Sequence, residues 1–123
     1  MNTNDILKLF RAAVKEVIED DRLDFSDHAK EVMEKRNITE DEVRKVLLEN
    51  DPHEFFPPYK YPYGENPNTN KDPIFSLVSK SYLVAVVAIK KKSSEIRFQV
   101  VTAFFASEQS RHKKAGNHHS VEI

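Results

Sequence analysis

At 123 residues and a net charge of −1, the chain has room for one hydrophobic core but not for two, and it is not a protein that gathers nucleic acid by bulk charge. Its 39% apolar and 32% charged residues describe a soluble globular domain with a heavily charged surface, and the absence of cysteine excludes disulfides, thiolate metal sites and a cysteine nucleophile. No apolar run approaches the ~20 residues that cross a bilayer. The start MNTNDILKLF also lacks the charged lead and apolar stretch of a signal peptide, so a cytoplasmic protein with no membrane contact is expected.

Charge is unevenly placed. Residues 16–54 are acid-rich, whereas Lys80, Lys90, Lys91, Lys92, Arg97, Arg111, Lys113 and Lys114 lie in the second half, where an anionic partner would meet the protein. Lysines at strand ends also keep sheet edges from aggregating.

In chain order, Ile6, Leu9, Phe10, Ala13, Val14 and Val17 recur at three- and four-residue spacing, which predicts an amphipathic helix over 3–20. Ser26 is a good N-cap for a second helix, with Asp27 in its first turn, Ala29, Val32 and Met33 on one side, and Asn37 as a left-handed stop. Ile38-Thr39-Glu40-Asp41-Glu42-Val43 holds a capping box between Thr39 and Glu42, stapled by Ile38 and Val43. A third helix therefore spans about 40–49 and ends before Asp51-Pro52.

His53 to Phe56 reads as a short strand, and 57–72, with four of the six prolines, as a long loop whose tyrosines, Tyr61 among them, offer a stacking surface. The stretch from Pro73 to Ala106 is dense in β-branched and aromatic residues and predicts an antiparallel meander. Its middle run, Tyr82 to Ile89, is apolar without a break and belongs at the centre of the sheet. In the last run Ile96, Phe98 and Val100 alternate with Arg97, Gln99 and Val101, giving one core face and one able to carry polar chemistry. After Ala106 a polar tail is expected to form a short helical turn and then fray. The fold class is α+β: a single domain with its helices on one face of an antiparallel sheet of about four strands.

Ser26-Asp27-His28-Ala29, then Met33, Arg36, Ile38 and Val43, resemble the S-x-H-A … R-x-I-x-x-x-x-V opening of small RelE-like domains. Val100-Val101-Thr102-Ala103-Phe104 is similar to the V-V-T-x-aromatic final strand of the same group. That group belongs to the barnase, EndoU, colicin and RelE-like ribonucleases, which include toxin-type and phage-encoded members. The resemblance covers about residues 25–106. It implies metal-independent RNA cleavage, in which the ribose 2′-hydroxyl attacks its own phosphate, and a cognate antitoxin or immunity protein as partner.

Such chemistry needs a proton acceptor, a proton donor and cations around the phosphate. His28, in the first turn of a helix, is the acid/base candidate; a structural histidine is the alternative. Arg36 lies about 12 Å further along that helix, too far to share one phosphate with His28 without bound RNA of some length, and either binds RNA or pairs with Asp or Glu neighbours. Lys80 and Arg97, read as strand residues, are the phosphate candidates, Arg97 because its fork can grip an anion with two hydrogen bonds. Thr102 joins the site through the resemblance alone: simple alternation puts it on the face of Phe98, so either a bulge re-aims the strand, or the helix-free face is the one carrying Phe98, or Thr102 is structural.

Arg111, His112 and Lys113 could close over a phosphate, or form a solvated end. His118-His119 has no third ligand at a useful spacing, and Asp20, Asp21 and Asp24 lack the glycine and glutamate of a calcium loop, so no metal is expected. With Gly64 and Gly116 the only glycines, there is no phosphate-binding loop, and no cofactor is expected. Two functional readings stand: a small endoribonuclease, or a non-catalytic protein-binding module of immunity or antitoxin type on the same scaffold. A metal-dependent hydrolase built on His28, His53 and the acidic residues is weaker, for lack of any ligand spacing.

Overall fold

The computed structural model describes residues 3–63 and 71–107. In chain order they form α1 (Thr3–Glu19), β1 (Leu23–Phe25), α2 (Asp27–Arg36), α3 (Glu40–Glu49), β2 (Glu54–Phe56), β3 (Ile74–Val78), β4 (Leu83–Lys92) and β5 (Glu95–Phe105). The strands make one five-stranded sheet in the order β1-β5-β4-β3-β2.

The helices begin and end for the reasons their sequences suggest. Ser26 Oγ accepts the Ala29 N–H, and Asn37, at φ 57° and ψ 41°, turns the chain out of α2. Thr39 and Glu42 close a reciprocal capping box on α3. Phe10, Val14 and Val17 of α1, Ala29 and Met33 of α2, and Val43, Val46 and Leu47 of α3 all enter one core. Its floor is Phe75, Leu77, Leu83, Ala85, Val87, Phe98, Val100 and Ala103, so the helices cover a single face of the sheet. Leu9, expected in the stripe, is instead exposed, because the stripe that meets the sheet is narrower than the apolar spacing suggested.

The sheet departs from the expected four antiparallel strands. β1 adds a fifth, pairing parallel to β5 from Leu23↔Phe98 to Phe25↔Val100. A strand this short carries no readable period; it exists because Leu23 and Phe25 reach the core and Ser26 N–H bonds the Val100 carbonyl. β2, β3, β4 and β5 pair antiparallel, with β4 in the middle as its apolar run implied. Tyr82 is not part of β4. It sits in the β3–β4 turn at φ 66°, and its N–H bonds the Ser79 carbonyl. Ile96, read as core, is 44% exposed; it lies at the start of β5 beside the β4–β5 turn.

Between Val86 and Val87 the β4–β5 register slips: Val87 faces Val100 and Val86 faces Thr102, leaving Val101 as the extra residue of a bulge. The bulge is the alternative that reconciles Thr102 with Arg97. It shifts the phase of β5, so Ala103 joins the helix-side core while Thr102 stands opposite Val86 on the other face, open only in that none of the described helices packs on it. A smaller apolar cluster on that face comprises Ile74, Val78, Val84, Val86 and Ala88, with Phe56 and Tyr61 packed against it.

Ser76, opposite Val86 in this cluster, is fully buried, and its hydroxyl finds no partner among the described residues. A buried unpaired hydroxyl costs about 1–3 kcal/mol. Ser76→Ala is therefore expected to leave stability unchanged or raise it by about 1 kcal/mol in urea unfolding. A loss of that size would mean the hydroxyl is bonded to internal water.

Candidate functional site

The segment after β1 runs on beside β5 as α2, and its side chains take over where β1 stops pairing. Ser26 Oγ donates to the Val101 carbonyl of the bulge at 3.3 Å, and Arg36 Nη1 donates to the Ala103 carbonyl at 2.7 Å. Both bonds satisfy acceptors on the edge of β5 that no described strand covers. The spacing of Ser26 and Arg36 thus matches the geometry of a helix laid along a strand edge. Arg36 works within the fold. Arg36→Ala should lower stability by about 1.5 kcal/mol, the low end for a hydrogen bond to a charged group because Arg36 is itself exposed. Thermal melting checks this; an unchanged melt with weakened RNA binding would return Arg36 to a substrate role.

His28 stands in the first turn of α2 and is exposed. Because Ser26 is bonded to Val100 and Val101, that turn starts beside the bulge which brings Thr102 to the open face. Glu31, one turn on, is held below the usual carboxylate range by its 3.0 Å hydrogen bond from Lys35 and by that charge, with a smaller contribution from His28. The shift concerns an exposed pair, so the bond fades as pH falls through the carboxylate range, with little consequence for stability.

Arg97 lies on the open face of β5, about 10 Å before Val100 at about 3.3 Å per residue. It grips Asp24 of β1 with two bonds, Nε to Oδ2 at 2.8 Å and Nη2 to Oδ1 at 2.9 Å, and Glu95 at 3.1 Å. These contacts, Asp24 first, hold its guanidinium protonated well above the ordinary range. Asp24 was not legible as a partner, because the pairing joins positions 73 residues apart through a strand that sequence patterning does not reveal, whereas Glu95 lies two residues from Arg97 on the same strand. Lys90 faces Arg97 across the ladder and binds Asp72 at 2.9 Å.

Lys80 is a correction. It sits in the β3–β4 turn rather than on a strand, beside a groove of about 550 Å³ that Lys45, Glu49 and Ser79 also line. The turn leads into Leu83, which pairs with Phe105, whereas Arg97 pairs with Lys90 at the other end of β4. About 23 Å of strand separates Leu83 from Lys90, so Lys80 and Arg97 cannot hold one phosphate. Tyr61 packs edge-on against Phe56 and Tyr63, with centroids 5.1 Å and 5.4 Å away, and serves the open-face cluster. Arg111, His112 and Lys113 lie outside the described residues.

The fold therefore brings His28, Thr102 and Arg97 to the β1–β5 side of the sheet and leaves Lys80 apart. The other described arginines are likewise engaged: Arg11 with Asp51, Arg22 with Glu16 and Asp20, and Arg44 with Glu40 and Asp41. In comparisons with protein-family models, curated proteins and solved structures, nothing matches this chain.

Proposed function

We propose that this protein is a small, metal-independent endoribonuclease of RelE-like type, with its centre where the first turn of α2 meets the bulge of β5. The observation that carries the reading is that meeting point: Ser26 bonds Val100 and Val101, His28 follows at the helix start, and Thr102 turns to the face of Arg97. In this reading His28 accepts the 2′-hydroxyl proton as O2′ bonds to phosphorus. The P–O5′ bond breaks, and the proton is returned to O5′, leaving a 2′,3′-cyclic phosphate. Arg97 supports a neighbouring phosphate, since about 13 Å of strand separates it from the bulge at Val101. Its natural partner would be an antitoxin or immunity protein.

The test is incubation of the purified protein with total RNA in EDTA and mapping of new ends. Discrete cuts ending in cyclic phosphate are expected. A folded protein that makes none would overturn the ribonuclease reading.

A second reading, a non-catalytic module that binds protein, is favoured by one observation. Every described arginine is already held by the chain's own carboxylates or carbonyls, which leaves no arginine fork free to meet RNA among the described residues. Capture of a defined protein partner together with absence of RNA cleavage would establish it.

A further inference from the structure

The open face carries a feature that neither stability nor symmetry of the sheet requires. Lys90 and Arg97 are direct cross-strand partners on its two central long strands. Like charges placed directly opposite, with Cβ atoms about 5 Å apart, destabilise a sheet. Here each is met by carboxylates brought from elsewhere. Asp24 comes from the short edge strand β1, Asp72 precedes β3, and only Glu95 belongs to the hairpin itself. Asp24 fills the guanidinium fork in the two-bond geometry that a phosphate oxygen pair would adopt. Lys90 and Asp24 are 41% and 47% exposed, against 27% for Arg97 and 14% for Asp72, so solvent reaches the site mainly past Lys90 and Asp24.

We infer that Lys90 and Arg97 form a binding site for a phosphate group, and that Asp24 and Asp72 occupy it as internal stand-ins which a phosphate displaces. As register partners on β4 and β5 the two cations rise side by side, with their heads drawn apart, Arg97 toward Asp24 of β1 and Lys90 toward Asp72 before β3, so a shared anion requires both heads to swing inward, with Glu95 remaining beside Arg97. The occupied state costs affinity, because an incoming phosphate must first break the fork with Asp24. Only the assignment of the anion to RNA rests on the ribonuclease reading; the site itself does not.

Amide chemical shifts of the intact protein, titrated with inorganic phosphate at fixed ionic strength against a chloride control, test the site. Saturable shifts centred on residues 90 and 97 are expected. Asp24→Asn, which keeps shape and removes charge, should tighten phosphate binding about tenfold, and adding Arg97→Gln should abolish it. If Asp24→Asn does not fold, Asp72→Asn should tighten binding in the same direction by releasing Lys90. Shifts no larger than the chloride control in wild type and variants alike would overturn the proposal, as would binding that survives both Arg97→Gln and Lys90→Gln. A short single-stranded RNA bearing a 3′-phosphate separates the sources. Binding tighter than inorganic phosphate assigns the site to RNA, and equal binding keeps the phosphate site while removing it from RNA cleavage.

Discussion

Phe98→Ala is expected to cost about 3–5 kcal/mol of folding stability. Phe98 is fully buried on β5, where its ring stacks on Phe10 of α1 at 5.5 Å, and Phe10 in turn meets Phe75 at 4.5 Å. Removing it leaves a cavity under α1 that neighbouring valines on a rigid sheet cannot fill. It also weakens the point where β1 joins the sheet, because Leu23 is its register partner. A domain of this size has only about 5–15 kcal/mol in total, so the variant should unfold at much lower urea, with Phe98→Leu recovering most of the loss. A destabilisation under about 1 kcal/mol would show that α1 is not firmly seated on the sheet.

His28→Ala should reduce single-turnover RNA cleavage by about 10²- to 10⁴-fold, the usual contribution of a positioned acid or base. The same variant should melt within a degree or so of the wild type, because His28 is exposed and caps nothing; Ser26 performs the capping. The contrast between a large kinetic and a negligible thermal effect separates a catalytic histidine from a structural one. Cleavage that persists at the wild-type rate would remove His28 from the reaction, and a lowered melting temperature with proportionate loss would make it structural.

Local chemistry made much of this fold readable. Ser26, Asn37, Thr39 and Glu42 each act on backbone groups within a few residues, so their roles are written in short stretches of chain. The centrality of β4 could also be read, from an apolar run that tolerates water on neither face. What could not be read is set by distant pairing. Leu23-Asp24-Phe25 is a strand only because Phe98 to Val100 lies beside it. The bulge at Val101 has no glycine to mark it, and Tyr82 adopts a positive φ that its side chain would argue against. The same limit governs the site. His28 and Thr102 could be named through a resemblance, but that Asp24 holds Arg97, and that Arg36 closes the edge of β5, depends on contacts 73 and 67 residues long.

The place of β5 between β1 and β4 also bears on how the protein is made. Among the described strands its neighbours include the earliest, yet it is itself the last to be synthesised. Until Phe105 has left the ribosome, Leu23 and Phe25 have no ladder to join, α2 has no strand edge to lie on, and Phe10 lacks the ring beneath it. Stable structure must therefore await nearly the whole of the described chain, and a nascent chain stalled before residue 95 should remain open to protease along its entire emerged length.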